Sequence, residues 1–144
     1  MTLHLIKLCA GADSLDDLRA RIERRAEANA KAGGGRVHDH VTRMHPRREA
    51  ELMDGGSLYW VIKGVILARQ RIIGFERRMG GDQIERTAIL LDPDYVLTAP
   101  AARRAFQGWR YLPAEEAPRD LETRRRSKAP PPELSLELAE LGLL

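Results

Sequence analysis

The chain has 144 residues, a formal net charge of +3, 43% hydrophobic residues and 31% charged residues. That length suits one domain with one core, and the mild positive charge admits an anionic partner without requiring one. The single cysteine, Cys9, excludes an internal disulfide and points to a reducing cytoplasm.

The apolar start, Met1 to Cys9, has no basic n-region, is interrupted by Lys7 and is too short to span a bilayer. It reads as a buried first strand, with no leader and no membrane segment, and with Cys9 as a small core residue. Leu3 and Leu5 alternate with Ile6 and Leu8, so both faces are apolar and the strand is central. Ser14 with Asp17 forms a capping-box pattern, and the helix it opens runs to about Lys31. Its apolar stripe is narrow: Leu15, Leu18, Ile22, Ala26 and Ala30. Gly33, Gly34 and Gly35 end it. Val37 to Met44 alternates as a second strand. Pro46 suits the first turn of a short helix that buries Leu52 and Met53 and stops at Gly55 and Gly56.

Ser57 to Leu91 reads as a long central hairpin. By parity, Leu58, Trp60, Ile62, Ile66, Ala68 and Ile72 face the core. Tyr59, Lys63, Arg69 and Arg71 fall on the other face, mixed with Val61, Val65 and Leu67. Gly64, in the middle, marks a bulge or kink in a strand this long. Gly80, Gly81 and Asp82 make the turn. A three-residue loop there sets Glu76 against Arg86 and Arg77 against Glu85, which charge favours over a two-residue loop with Glu76 against Glu85. Asp92-Pro93-Asp94 reads as a turn, Thr98 as the cap of a short helix from Pro100 to Gly108, and Trp109 to Leu112 as a last strand. The expected organisation is an α+β domain over residues 1–112 with a mostly antiparallel sheet. A proline- and charge-rich linker follows over 113–132. Leu134, Leu138 and Leu141 share one face of a terminal helix over 133–144. That helix is expected to dock on the body or to form a homodimer.

Chemistry-bearing patterns are sparse. His38 and His40 share one face of a strand, the spacing of a metal pair, with His45 and His4 as further ligands. Without HExxH or CxxC, a surface pair and no metal are expected. Gly33–Gly35 and Gly55–Gly56 lack both GxGxxG and GxxxxGK[ST] spacing, so no nucleotide cofactor is expected. Ser57 lacks the GxSxG elbow. The basic and aromatic residues are more suggestive. Three of seven aromatics fall within Phe106–Tyr111, among Arg103, Arg104 and Arg110. Arginine beside flat rings is what phosphate neutralisation and base stacking require. The expected binding face therefore comprises Tyr59, Lys63, Arg69, Arg71, Arg103, Arg104, Trp109 and Arg110, with RNA or another anionic ligand as partner. Arg124, Arg125, Arg126 and Lys128 read as a solvated tail. A small enzyme acting on an anionic substrate in a basic pocket, and an assembly protein, are the alternatives.

Five blocks carry a family resemblance: TLHLIKLC at the start, TRMHPRR at Thr42–Arg48, GGSLYWVIKGVILARQRI at Gly55–Ile72, LDPD at Leu91–Asp94 and RRAFQGWRYL at Arg103–Leu112. Together they resemble the bacterial family known as domain of unknown function 1489, which is known from alphaproteobacteria. The resemblance spans about Met1 to Asp120, and the family name implies no activity. A short helix, a glycine and a strand carrying Lys63, Arg69 and Arg71 are also similar to the layout of PUA and ASCH RNA-binding barrels. The ASCH pattern GxKxxExR is not met, so that similarity implies at most a barrel-like fold.

Overall fold

The computed structural model describes residues 2–104 and 106–124, with side chains up to Leu121. The terminal helix expected over 133–144 and the basic run at Arg125, Arg126 and Lys128 lie outside the described residues. Strand β1 (Leu3–Leu8) is followed by helix α1 (Leu15–Lys31), strand β2 (His38–Thr42) and a one-turn helix α2 (Glu49–Leu52). Ser14 caps α1 by accepting from the Asp17 N–H. Leu15, Leu18, Ile22 and Ala26 are its buried stripe, whereas Ala30 is exposed.

The expected long strand after Ser57 is two strands. β3 (Ser57–Ile62) and β4 (Val65–Met79) form their own hairpin around Lys63 and Gly64. Both turn residues have positive φ, 50° and 81°, the pattern of a two-residue turn that follows sheet twist. Gly64 is thus a reversal, not a kink. Trp60 pairs with Ala68 but Val61 pairs with Ile66, leaving Leu67 as an extra residue in β4. That bulge inverts parity. Leu67 joins the main core with Leu58, Trp60 and Ile62, and Ile66 joins a second cluster with Ile6, Tyr59, Val61 and Leu112.

β5 (Glu85–Ala102) is one continuous strand of 18 residues. The loop before it has five residues, because Met79 pairs with Glu85 and Arg78 with Arg86. The expected Glu76–Arg86 pairing is therefore displaced by two residues. Arg77 still reaches Glu85 at 3.1 Å, on the diagonal, and Arg86 is held by Asp82 at 2.8 Å. Asp92-Pro93-Asp94 does use turn chemistry, since the Asp94 N–H donates to the Asp92 carboxylate. The result is a bulge rather than a reversal: the ladder skips from Leu91 to Tyr95, and Pro93 needs no ladder partner. The helix expected from Pro100 is absent, because Ala101 and Ala102 still pair with Ile66 and Val65.

β6 (Trp109–Pro113) runs antiparallel to β1. A 3-10 turn (Ala114–Glu116) and β7 (Asp120–Arg124) then occupy the start of the segment read as linker. The sheet order is β2-β5-β4-β3-β1-β6, with β7 on the same edge of β5 as β2. Among the described strands only β1 and β3 pair in parallel. The result is an α+β fold on an open mixed sheet of seven strands, so the expected barrel does not close.

α1 and α2 cover the face carrying the main core. Phe106 and Ala117, from the segments on either side of β6, pack on the second cluster and cover much of the other face. Replacing Gly64 with valine puts a β-branched side chain at positive φ. It should lower unfolding stability by about 1–2 kcal/mol in urea titration. Gly81→Ala, with nothing within 4 Å of an added Cβ, should change stability by less than about 0.5 kcal/mol.

Candidate nucleic-acid interface

The β3–β4 turn lies at one end of the sheet. Arg103, just past β5, donates its backbone N–H to the Gly64 carbonyl at 2.8 Å, which brings the Arg103–Gly108 loop to the same end. Gly108, at φ 69°, turns that loop back into β6. Lys63 and Arg104 are exposed and have no ion-pair partner among the described residues. Arg103 hydrogen-bonds through its guanidinium to the Ala102 and Glu116 carbonyls. Arg110 lies over the Phe106 ring, 5.5 Å from its centroid. Its Nη1 donates to the Gln107 carbonyl at 2.9 Å, which holds it at the surface. Lys63, Arg103, Arg104 and Arg110 therefore share one end of the sheet.

The other four expected residues do not join them. Tyr59 is 4% exposed, within the second cluster. Its ring meets His4 edge-on at 5.0 Å. Arg69 is neutralised by a two-pronged bond to Asp120, both contacts at 2.7 Å, and also donates to the Ser57 hydroxyl at 2.8 Å. This clamp fastens β7 to the face that sequence parity leaves open to solvent. Arg71 is exposed, but it pairs with Ser57 at the opposite end of β3 from Lys63, about 20 Å away at strand spacing. Trp109 is 9% exposed in the main core and donates its indole N–H to the Met44 carbonyl.

His38 and His40 do share a side, but it faces the interior. His38 hydrogen-bonds Gln70 at 3.0 Å, and His40 stands edge-on to Trp60 at 5.2 Å. Burial and then the Lys7 charge push the His40 imidazole down to about 4, and burial lowers His38 as well. Among the described residues no group of three or more His, Cys, Asp or Glu side chains could hold a metal ion. Cys9 is buried, with its thiol pushed up by burial.

Two further constellations escaped sequence reasoning. His45 joins the Thr87 hydroxyl at 2.8 Å through Nδ1 and the Glu49 carboxylate at 2.7 Å through Nε2. The order resembles a hydroxyl–imidazole–carboxylate relay, but Thr87 is 1% exposed, so no substrate reaches its oxygen. The relay fixes the loop before α2 on β5. Asp39 is the second. Its carboxylate is buried and accepts from Arg25, Asn29 and Arg78, each within 2.9 Å. Burial works to raise this carboxyl, but those donors outweigh it and hold it at about 2. A groove of about 230 Å³ lies between the first residues of the chain and α2, lined by Thr2, Arg48, Glu51 and Pro113 among others. Arg48 is already paired with Glu51 at 2.6 Å, so the groove presents no free cation.

These features define an open-sheet α+β domain that brings Lys63, Arg103, Arg104 and Arg110 together at the β3–β4 end, with Lys63 and Arg104 lacking an acidic partner among the described residues. The chain belongs to the protein family of unknown function DUF1489, whose model matches residues 5–144. No curated protein and no solved structure matches it. Among the described residues, no helix is long and apolar enough to cross a membrane.

The lowered groups set an acid limit. A depressed folded value means that the unfolded chain binds more protons, so stability falls as pH falls. His40 contributes this loss from about pH 6.5 to 4, and Asp39 from about pH 5 to 2, the latter worth about 2 kcal/mol. Chemical denaturation at pH 7, 5 and 3 should show both steps. Asp39→Asn should flatten the lower step, and His40→Phe the upper one. A pH-independent midpoint in the unsubstituted protein contradicts the assignment.

Proposed function

We propose that this chain is a nucleic-acid-binding accessory protein, with single-stranded RNA as its first ligand class, that contacts phosphates through Lys63, Arg103, Arg104 and Arg110. The observation that carries the reading is the Arg103 N–H to Gly64 carbonyl bond, which sets two cation-bearing loops side by side. Lys63 and Arg104 there have no acidic partner among the described residues. Preordered, unpaired cations suit a phosphate backbone, because ordering and desolvation cost less at binding.

Base stacking on Tyr59 and Trp109 is dropped from the reading, since both rings are buried. Phe106, half-buried beneath Arg110, is the one ring left at this end. Recognition is then chiefly of backbone charge, with little base selectivity. The enzymatic alternative lacks support of the same kind: the relay hydroxyl is sealed and the groove has no free cation.

Fluorescence anisotropy with a labelled single-stranded RNA, titrated from about 50 to 200 mM salt, tests this. Affinity should fall steeply with salt, with a log–log slope of roughly −0.7 per phosphate contact. Lys63→Glu with Arg104→Glu should weaken binding at least tenfold and flatten the slope by roughly 0.7 for each contact removed. Arg71→Glu, at the other end, should change little. No binding at low salt, or equal binding by the double variant, removes the proposal.

A further inference from the structure

β3 begins at Ser57, opposite Arg71, and the last backbone bond on that side of β4 is from the Ile72 N–H to the Gly56 carbonyl at 2.9 Å. β4 runs on to Met79. Ile73–Met79 therefore has β5 on one side and, among the described residues, no strand on the other. The same arm exposes large apolar side chains: Ile73 at 46%, Met79 at 61% and, on the return, Ile84 at 38%. An unpaired edge is a template for another strand. This one has no proline and no lysine to block it.

We propose that the Ile73–Met79 edge pairs antiparallel with the same edge of a second copy of this chain, about a two-fold axis at Arg77. Residue chemistry selects both the partner and the register. A two-fold axis between antiparallel strands keeps each residue on its own sheet face, so facing residues share parity. An axis at Glu76 sets that carboxylate against itself. An axis at Phe75 sets Ile73 against Arg77, and one at Arg78 sets Glu76 against Gly80. With the axis at Arg77, Glu76 faces the partner's Arg78 and Phe75 faces the partner's Met79, each twice.

Glu76 and Arg78 already touch at 2.6 Å within one strand. The paired edges thus form a ring of four alternating charges. Met79, exposed in one copy, covers the half-buried Phe75 ring of the other with a sulfur–aromatic contact. The unfavourable element is Arg77 against its own copy, and Glu85 at 3.1 Å already offsets that charge. Gly74 faces the partner's Gly80, where neither adds bulk. The contact is small, so the expected dimer is a weak one, with a dissociation constant on the order of 10–100 µM.

Sedimentation equilibrium on the full chain from about 5 to 500 µM reads this, with circular dichroism confirming that each variant folds. Glu76→Arg alone and Arg78→Glu alone should each associate at least tenfold more weakly. An equimolar mixture of the two should recover association, because both pairs between positions 76 and 78 are again of opposite charge. Arg78→Glu also gives up its bond to Asp39. A second probe avoids that site: Arg77→Cys protein should form a disulfide-linked dimer under mild oxidation, since Cys9 is buried. A monomer at 500 µM overturns the proposal, as does a dimer insensitive to Glu76→Arg. A monomer whose Ile73–Met79 amides resist hydrogen exchange also overturns it, because residues 125–144 then occupy the edge.

Discussion

Gln70 is fully buried in β4, and its amide joins four strands. Its Nε2 donates to the Asp92 carbonyl of β5 at 2.8 Å. That fixes the amide orientation, so Oε1 must accept. The Trp60 indole of β3 donates to it at 2.8 Å, and His38 of β2 meets it at 3.0 Å, which places the His38 proton on Nδ1. Leaving one such buried donor unpaired costs about 1–3 kcal/mol. The amide therefore ties the Trp60 rotamer, the edge strand and the Asp92–Asp94 bulge to one another. The bulge lets β5 continue past Pro93 to Ala102, and that length gives β2 and β7 separate stretches of one edge.

From this arrangement comes the meeting of the two cation-bearing loops. A continuous β5 delivers the chain at Ala102 to the β3–β4 turn, and Phe106, in the loop to β6, packs on the second cluster. The chain then passes from β6 back to β5, with Ala117 on the second cluster and the Arg69–Asp120 clamp holding β7. Both faces of the central strands are filled, and β3 is buried at all six positions. Among the described residues, Lys63 and Arg104 are surface cations without an acidic partner at the turn end, while Arg24, Lys31, Arg43, Arg47, Arg71 and Arg119 are such cations elsewhere.

Much of the fold is legible in the residues. α1 and β2 follow from periodicity and from the Ser14 cap, because their faces differ in polarity, and β1 follows from apolar residues on both of its faces. The elements that were misread share a cause. Lys63-Gly64 sits inside an unbroken apolar run, and a Lys-Gly turn lacks the side-chain signature of Asn-Gly. The Leu67 bulge then exchanges the faces of Ile66 and Leu67, which parity cannot register. Pro93 and Pro100 read as breaks because proline has no donor for the ladder, yet bulges in β5 accommodate both. Of the expected binding residues, sequence proximity found Arg103, Arg104 and Arg110 together. The approach of Lys63, and the loss of Arg69 to Asp120, depend on contacts between residues about 40–50 positions apart, for which one sequence holds no local signal.

Amide hydrogen exchange of the full chain with and without saturating single-stranded RNA tests most directly whether the turn end, rather than a sheet face, is the working surface. Slowed exchange confined to residues 62–66 and 102–110 is the predicted result. Protection at 57–59 and 69–71, with faster exchange over 114–121, contradicts the account, because it requires the segment fastened by Arg69 and Asp120 to lift and the ligand to enter beneath it.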